Sequence, residues 1–382
     1  MSASVYLYSP YLKNFGGGER YLLYLAASLS KLPEAGVTLL SEFPEITKTA
    51  LEDFFKLDLS RVRYKTIEGG SRSLRAVIDG ADIFIPLSNF RVVRAAPRHY
   101  VQALQVPYAP ITPFTVSMRM MKGEVREGVK DILRKQLLSH AEKISSFTLT
   151  NSRFVHDSLL RNFNLESSVL YPPIEDFFAR GIPKRRIILS VGRIFRGLYN
   201  NKRYDVLTDA FRKLSGVMPE WEYHIVGSVA SDDKSQTYLS GLKEASRGHR
   251  IFFHVNERYE SLKVLYNEAT IYWHGAGFGV NETKHPEATE HFGMSVAEAL
   301  SASCVPIVVN KGGLKEIVTE GENGYLWETT DQLMDFTLNV ARMSFDQLTA
   351  LQSRARESYR RYGLQKFDER VAELFTPVLT PP

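Results

Sequence analysis

The sequence is nearly free of cysteine and has no long apolar run. Its single cysteine, Cys304, cannot form an intrachain disulfide, which excludes a disulfide-stapled scaffold and suits a reducing compartment. No apolar stretch approaches the roughly 20 residues that span a bilayer, and the opening residues MSASVYLYSP predict a strand rather than a signal peptide. These absences favour a cytoplasmic protein.

Several ligand signatures are missing as well. The sequence has no zinc spacing, no helix-turn-helix and no aromatic RNA-binding pattern, so nucleic acid is not an expected partner. It also lacks the G-x-G-x-x-G fingerprint of dinucleotide dehydrogenases, and a nicotinamide cofactor is not expected. The sequence contains no internal repeat, which would indicate a solenoid, and no low-complexity segment, which would indicate disorder.

The length and the order of predicted elements indicate two α/β domains. A chain of 382 residues exceeds what one hydrophobic core usually fills. Short strands such as RIILSVG alternate with helical patterns such as KRYDVLTDAFRKL, which is typical of doubly wound parallel sheets. Two prolines, Pro172 and Pro173, predict the boundary. We therefore expect domains over residues 1–173 and 174–355 and a C-terminal helical segment over 356–382.

Positive charge is concentrated in the first domain. Residues 1–175 carry 22 Lys and Arg against 17 Asp and Glu, whereas residues 176–382 carry 26 of each, so the net charge of +5 lies in the first half. In one helix over about 119–143, four basic residues would form a stripe: Lys122, Arg126, Lys130 and Arg134. The stripe is either a solvated helix face or a contact with an anionic membrane or substrate.

Parallel sheets bind ligands where strands end and helices begin, and three such junctions have unusual compositions. In the first, YSPYLKNFGGGERYLLYL, a strand and a loop lead to Gly16, Gly17 and Gly18 and then to a helix. Residues without side chains let a ligand approach the backbone, and first-turn amides favour an anion such as phosphate. The alternative is a bare glycine turn.

The second junction is SVGRIFRGLYNNKRYDVL. Its strand ends at Gly192, Arg193 follows at once, and Lys202 lies at the start of the next helix. Two cations at one helix N-terminus would suit a diphosphate, because a guanidinium bonds two oxygens and a lysine adds a mobile charge. Exposed loop cations are the alternative.

The third junction is EATEHFGMSVAE, in which Glu290 and Glu298 are separated by seven residues. Ser295 and Glu298 fit a capping box, with Ser295 as the N-cap residue. Gly293 would let the backbone turn tightly before the helix. Glu290 has no such structural role and is either a solvated turn residue or a ligand-binding group.

Taken together, these motifs resemble the retaining glycosyltransferases of family 4, which have the GT-B fold. The resemblance covers nearly the whole chain, through GGGER, NSRFV, VGR with NKRYDVL, EHFGMSVAEA, VPIVVNKGGLKEIV and GENGYLW. It implies two Rossmann-like domains that face a cleft, with C-terminal helices that cross back to the first domain.

The resemblance also implies roles for individual residues. Glu290 would bond the hydroxyls of a donor sugar, and Arg193 and Lys202 would hold its diphosphate; these three are the expected catalytic residues. Glu298 would bind the ribose, and the glycine loop would close over the phosphates from the first domain. The expected donor-binding residues are Gly16, Gly17, Gly18, Gly192, His291, Phe292, Gly293, Met294, Ser295 and Glu298.

Two regions depart from the family pattern. Many relatives carry a histidine at a strand end of the first domain, where this sequence leaves Asn89, His99 and Gln105 as alternatives for an acceptor-side residue. The second region is a long segment over 276–289. His274, just before it, either shapes the sugar site or is a packed histidine.

The predicted reaction moves a hexose, mannose or glucose, from a nucleotide-diphosphate sugar to a glycan or lipid-linked glycan, with retention. GDP-mannose is the first choice of donor, because GGGER and NKRYDVL resemble mannosyltransferases of lipid-linked oligosaccharides, and UDP-hexoses remain open. Since the sequence has no D-x-D pair, fixed cations and helix N-termini would stabilise the leaving group, and neither a metal nor a cofactor is expected.

The expected location is the cytoplasm, or the inner face of the membrane, in polysaccharide biosynthesis. Two alternatives from other classes stay open. One is a nucleotide-sugar epimerase-like enzyme or a phosphorylase on the same fold. The other is a catalytically silent carbohydrate-binding scaffold.

Overall fold

The computed structural model describes residues 2–68, 70–197 and 201–379. The chain forms two compact units, one of Met1–Pro173 with Leu364–Pro382 and one of Ile174–Gly363. Each unit contains one parallel sheet with helices packed on it, so the prediction of two doubly wound parallel sheets is confirmed.

The first unit contains a seven-stranded sheet. Its strands are β1 (Ala3–Tyr8), β2 (Ala35–Ser41), β3 (Arg63–Thr66), β4 (Ile83–Pro86), β5 (His99–Leu104), β6 (Phe147–Thr150) and β7 (Ser168–Val169). Its helices are α1 (Gly17–Leu29), α2 (Lys48–Phe55), α3 (Ser71–Ile78), α4 (Pro113–Met121), α5 (Val125–Ile144), α6 (Arg153–Phe163) and, from the end of the chain, α14 (Leu364–Leu379). The strand order β3-β2-β1-β4-β5-β6-β7 reverses between β1 and β4.

The second unit contains a six-stranded sheet. Its strands are β8 (Arg185–Val191), β9 (Glu222–Gly227), β10 (Ile251–Val255), β11 (Ala269–His274), β12 (Val305–Val309) and β13 (Tyr325–Trp327). Its helices are α7 (Tyr204–Leu214), α8 (Asp233–Ala245), α9 (Tyr259–Glu268), α10 (Met294–Ser301), α11 (Leu314–Ile317), α12 (Thr330–Ala341) and α13 (Phe345–Tyr359). The order β10-β9-β8-β11-β12-β13 reverses between β8 and β11.

The last helix belongs to the core of the first unit. Phe367, Val371, Phe375 and Leu379 recur every fourth residue and are buried on one face of α14. The ring of Phe367 contacts Tyr21 of α1, with ring centroids 6.1 Å apart. The chain therefore returns to its first unit after completing the second.

This return begins later than residue 356, where the sequence analysis placed it. Residues 356–359 continue α13, and Arg356 forms an ion pair of 2.8 Å with Asp176 of the second unit. The second unit accordingly extends to Gly363 rather than to residue 355. Helical periodicity alone does not mark this boundary, because the segments on both sides of it are amphipathic.

The single basic helix over 119–143 is a wrong prediction. Gly123, with a φ of 76°, separates α4 from α5, and Lys122 caps the end of α4. Arg134 is only 6% exposed and pairs at 2.7 Å with Asp131. The four basic residues therefore do not share one exposed face, and no helix of the described part of the chain is long and apolar enough to cross a bilayer.

Candidate active site

The candidate site lies where the strand order of the second sheet reverses. Strands β8 and β11 are neighbours there, and they end at Val191 and His274. The helices that follow neighbouring strands at such a point leave in opposite directions, which opens a crevice at the carboxyl ends of the strands. The segments after β8 and β11 both contribute polar side chains to this crevice.

Three side chains from distant parts of the sequence meet there. The Lys202 Nζ lies 2.5 Å from the Glu290 Oε2, and the His274 Nε2 lies 3.1 Å from the same oxygen. Glu290 and Lys202 are 15% and 16% exposed, and His274 is 2% exposed. We call this group the Lys202–Glu290–His274 cluster.

The hydrogen bonds fix the protonation states in the cluster. The backbone N–H of Ala276 donates to the His274 Nδ1 at 3.3 Å, so the proton of a neutral imidazole is on Nε2 and is donated to Glu290. Burial, together with the charge of Lys202, lowers the pKa of His274, although Glu290 opposes this effect. The histidine is therefore a neutral hydrogen-bond donor near neutral pH.

Glu290 is held as a carboxylate. Burial alone would raise the pKa of Glu290, but the charge of Lys202 and the hydrogen bond from His274 outweigh burial and hold that pKa well below its usual range. A side chain that keeps its negative charge in this way accepts hydrogen bonds and stabilises positive charge. It cannot serve as a proton donor near neutral pH.

The position of Lys202 depends on a glycine at the end of β8. Gly192 has a φ of 153°, and a Cβ atom there would lie 2.8 Å from the Lys202 Cε and 3.1 Å from its Cγ. The carbonyl of Gly192 also accepts a hydrogen bond of 3.0 Å from the Tyr204 hydroxyl at the start of α7. The lysine stem therefore packs directly against this backbone before its ammonium reaches Glu290.

A close backbone contact holds the loop that carries Glu290. The N–H of Gly313 donates to the Glu290 carbonyl at 2.8 Å, and a Cβ atom at Gly312 would lie 2.2 Å from that same carbonyl oxygen. Glu282 fixes the turn from the other side, because its carboxylate accepts from the Gly312 N–H at 2.9 Å and from the Lys315 Nζ at 2.6 Å. The glycines of NKGGLKEIV therefore position Glu290.

The predicted capping box of α10 is wrong. The N-cap residue is Gly293, with a φ of 112°, and it provides no side-chain hydrogen bond to the N-terminus of α10. Ser295 is already inside the first turn, so Glu298 lies two residues beyond the capping position, which Val296 occupies. A glycine is required at 293 because of its φ and because a Cβ atom there would lie 2.7 Å from the Leu314 Cδ2.

Glu298 lies on α10 and is 7% exposed. Its Oε2 accepts a hydrogen bond of 3.1 Å from the Tyr266 hydroxyl, which also contacts the Ser295 carbonyl at 3.2 Å. Burial raises the pKa of the neighbouring Tyr272 hydroxyl, which donates to the Val191 carbonyl at 3.3 Å.

The other predicted donor-side residues have separate environments. Arg193 is exposed, and its guanidinium lies 5.5 Å from the centre of the Phe195 ring. Phe292 is 2% exposed and packs against Tyr362 at 5.1 Å, which is a structural role. The His291 Nε2 lies 3.2 Å from the Glu287 carbonyl, and Met294 is the first residue of α10.

The carboxyl edge of the first sheet contains the glycine run and two amide side chains. Gly16 precedes α1, and its N–H donates to the Glu19 Oε2 at 2.8 Å. A Cβ atom at Gly18 would lie 2.9 Å from the Gln105 Oε1, and the Gln105 N–H donates to the Asn89 Oδ1 at 3.2 Å. The expected role of Gly16, Gly17 and Gly18 toward phosphate stays a prediction.

His99 does not belong to this group. It is the first residue of β5, and Gln105 directly follows the last residue of the same strand. The His99 Nδ1 lies 3.2 Å from the Ser146 Oγ, at the amino end of the sheet. A strand of this length separates its two ends by nearly 20 Å, so His99 is removed from the candidates and Asn89 and Gln105 remain.

The sequence analysis missed part of the site. It offered His274 only as one of two interpretations, and it did not name Tyr266, Tyr272 or Glu282. The position of His274 at the end of a buried strand was the one available signal. In the described ranges 2–68, 70–197 and 201–379, no three His, Cys, Asp or Glu side chains are arranged as a metal site.

Comparisons with known proteins place these residues in a recognised domain. The family model for glycosyl transferases group 1 matches residues 174–362, which include the whole Lys202–Glu290–His274 cluster. A GDP-Man:Man(3)GlcNAc(2)-PP-Dol alpha-1,2-mannosyltransferase of Caenorhabditis elegans is 27% identical over 218 residues, which cover 53% of this chain and 44% of the relative. A mannosylfructose-phosphate synthase of Agrobacterium fabrum is 26% identical over 170 residues, covering 42% and 34%. The chain thus spans less than half the length of these curated relatives.

Solved structures resemble the chain over almost its whole length. The crystal structure of HepE from Anabaena in complex with UDP-glucose has a TM-score of 0.70 at 15% identity and covers 98% of this chain and 99% of that one. A sucrose-phosphate synthase from Thermosynechococcus elongatus has a TM-score of 0.69 at 15% identity, with the same coverage. The chain therefore has the GT-B fold, and residues 174–362 of its second unit match the glycosyl transferases group 1 model.

Proposed function

We propose that this chain is a glycosyltransferase that moves a hexose from a nucleoside-diphosphate sugar to a glycan or lipid-linked glycan acceptor. The observation that carries the proposal is the Lys202–Glu290–His274 cluster at the switch point of the second sheet. A buried cation and a permanent carboxylate, held side by side, suit a substrate in which a phosphate adjoins a sugar. The match of this unit to the glycosyl transferases group 1 model supports the same conclusion.

Lys202 and Arg193 are proposed to bind the diphosphate. Lys202 uses one of its three N–H donors for Glu290 and retains others for phosphate oxygens. Arg193 lies two residues beyond the end of β8, where its exposed guanidinium can bond two oxygens at once. The amides that open α10 add donors at a third position. Together these groups would stabilise the charge that develops on the leaving diphosphate.

Glu290 is proposed to bind the hydroxyls of the donor sugar and to stabilise its reacting carbon. A carboxylate whose pKa is held low accepts hydrogen bonds from hydroxyls and attracts the positive charge of an oxocarbenium-like transition state. His274 would orient this carboxylate through its Nε2–H. Transfer with retention, by attack of the acceptor on the face that the leaving group occupies, is compatible with these roles and is part of the proposal.

Glu298 is proposed to bind the ribose of the nucleotide. The Tyr266 hydroxyl occupies its Oε2 and keeps the side chain in place within the core of the unit. A carboxylate accepts hydrogen bonds from hydroxyl groups, which is the chemistry that the two ribose hydroxyls require.

GDP-mannose is the donor that we propose first. The Caenorhabditis elegans relative is named for a GDP-mannose donor, whereas the HepE structure contains UDP-glucose. The identity of the base therefore separates two concrete alternatives. On the acceptor side we propose Asn89 and Gln105, which adjoin the glycine run.

The test is release of nucleoside diphosphate from a panel of GDP- and UDP-linked hexoses, with and without a lipid-linked or free glycan acceptor. We expect one donor to be turned over in the presence of EDTA, because in this proposal protein cations stabilise the leaving diphosphate. Product with an epimerised donor and no released diphosphate would support the epimerase-like alternative. Nucleotide binding without any turnover would support the silent scaffold.

A further inference from the structure

Exposed apolar side chains are concentrated on one part of the first unit. Among the residues that the structure describes, seven of the fourteen exposed large hydrophobic residues lie within residues 114–144, on α4 and α5. We call them the α4–α5 face: Phe114, Met121, Val125, Val129, Ile132, Leu133 and Ile144. Scattered single residues need no explanation, but such a concentration on a soluble surface marks an interaction site.

The spacing on α5 shows that this face is organised. Val125, Val129, Ile132 and Leu133 follow the i, i+4, i+7, i+8 pattern of one helix face and are 41–52% exposed. The opposite side of the helix is already buried in the unit through Leu137, Leu138 and Ala141. The helix is therefore apolar on two sides, although the fold of the unit covers only one of them.

A groove continues the face toward the start of α4. It has a volume of ≈ 740 Å³, and its apolar lining includes Ile111, Val116 and Ile132. Cations also line the groove, namely Arg94, Lys135 and Lys143. Apolar walls with positive charges beside them fit an amphiphile that has an anionic head.

The charges around the face have one prevailing sign. Lys122, Arg126, Lys135 and Lys143 are exposed. Two of the four acidic residues in this region are neutralised locally, because Glu127 pairs with Lys130 at 2.6 Å and Asp131 pairs with Arg119 and Arg134 at 2.6 and 2.7 Å. The exposed surplus is therefore cationic.

We propose that the α4–α5 face docks on the surface of an anionic lipid bilayer. The apolar side chains enter the boundary between head groups and acyl chains, and the four exposed cations contact lipid phosphates. These four exposed cations are not the same residues as the basic stripe of the sequence analysis, because Arg134 of that stripe is buried. The assignment does not depend on the transfer reaction, because it uses residues of the first unit alone.

Partition of the purified full chain onto vesicles tests the proposal. We expect it to bind vesicles that contain phosphatidylglycerol, to bind pure phosphatidylcholine vesicles much less, and to be released by salt. The variant Phe114→Ser/Met121→Ser/Val125→Ser should bind at least about tenfold more weakly, because it removes apolar area that the bilayer would bury. The variant Lys122→Ser/Arg126→Ser should lose a similar factor on anionic vesicles only.

A matched control uses exposed apolar residues elsewhere. Phe345 and Val217 of the second unit are 82% and 64% exposed, and Phe345→Ser/Val217→Ser should bind vesicles as the wild type does. All variants should keep the melting temperature shift that a nucleoside diphosphate produces, which separates this proposal from the proposed reaction.

Three outcomes would overturn the proposal. The first is no partition of the wild type onto anionic vesicles, and the second is equal partition of wild type and triple variant. The third is concentration-dependent self-association that the triple variant abolishes without any vesicle binding, which would assign the face to a second copy of the chain.

Discussion

The two sheets differ at their switch points in the kind of polar group that they bring together. At the β8–β11 point of the second unit, buried ionised groups converge: Lys202 and Glu290 pair at 2.5 Å beside the neutral His274. At the β1–β4 point of the first unit, glycines adjoin the amides of Gln105 and Asn89. The polar groups beside the second switch point are therefore ionised, whereas those beside the glycine run of the first unit are neutral amides.

The difference also shows in how each edge is supported. The Lys202–Glu290–His274 cluster includes an ion pair between residues 88 positions apart, with Gly192, Gly312 and Gly313 making room for the contacts. At the carboxyl edge of the first sheet, Arg91 pairs with Glu42, which also accepts a hydrogen bond of 2.6 Å from the Tyr8 hydroxyl. This contact joins residues that follow β2 and β4 to the last residue of β1.

The largest expected effect is a loss of transfer activity when Glu290, at the edge of the second sheet, is replaced. Glu290→Gln should lower the rate of transfer at least about 100-fold, equivalent to roughly 2.7 kcal/mol, because an amide cannot supply the negative charge. Nucleoside diphosphate binding should stay measurable. Steady-state kinetics of released diphosphate provide the measurement, with Glu322→Gln, an exposed acid of the same unit, as the control. Wild-type turnover by Glu290→Gln would remove this residue from the site.

The second prediction concerns pH. The pKa of His274 is lower in the folded state than its ordinary value of 6.5, so the unfolded chain binds the proton first, and folding stability falls as the pH drops below that value. The wild type should lose on the order of 1 kcal/mol of stability at most between pH 7.5 and 5.5 through this residue, and His274→Gln should not show that loss. Urea unfolding at both pH values measures the difference.

Equal pH dependence of the two proteins would contradict a buried neutral histidine. His99→Gln is the control at the other sheet, where the side chain is partly exposed at the amino end of β5. The comparison predicts a smaller pH effect there.

The third prediction concerns the support of the cluster. Gly192→Ala places a methyl group within 2.8 Å of the Lys202 Cε and requires a φ that alanine rarely adopts. We expect the free energy of unfolding to fall by about 1 kcal/mol and nucleoside diphosphate affinity to fall several-fold. Gly216→Ala is the matched control, since a Cβ atom there meets nothing within 4 Å. Unchanged affinity would mean that the lysine stem does not need this glycine.

The smallest expected effect is at the first unit. Gln105→Ala should raise the KM for the acceptor about two- to threefold with little change in stability, because one neutral hydrogen bond contributes only about 1 kcal/mol. A change in KM for the nucleotide sugar, with the acceptor KM unaltered, would contradict an acceptor-side role. The measurement is initial-rate kinetics with each substrate varied in turn.

The sequence predicted the fold better than it predicted the site. Apolar strands with intervening helices were enough to indicate both sheets, and the predicted helix KRYDVLTDAFRKL contains α7, which runs from Tyr204 to Leu214. Strand β5 contains Gln102, whose buried side-chain NH2 donates to the carbonyls of Pro86 and Ser88. Such a partner is invisible in a local pattern.

The site illustrates the same limit. Motif positions indicated Glu290 and Lys202 separately. Their direct pairing arises because β8 and β11 are neighbours in the sheet, and local spacing in the sequence does not predict that strand order. The assignment of Glu298 as a capping residue failed because the N-cap residue of α10 is Gly293, a glycine with positive φ, and not Ser295. Long-range contacts and special backbone conformations thus account for most of what the sequence analysis missed.

The most direct test of the central claim is calorimetric titration of the wild type and Lys202→Met with GDP and UDP, with Lys284→Met as an exposed-lysine control. If the Lys202–Glu290–His274 cluster holds the diphosphate of a nucleotide sugar, one nucleotide should bind the wild type and the control equally, and Lys202→Met at least about tenfold more weakly. Binding of neither nucleotide, or equal binding by all three proteins, would contradict the claim.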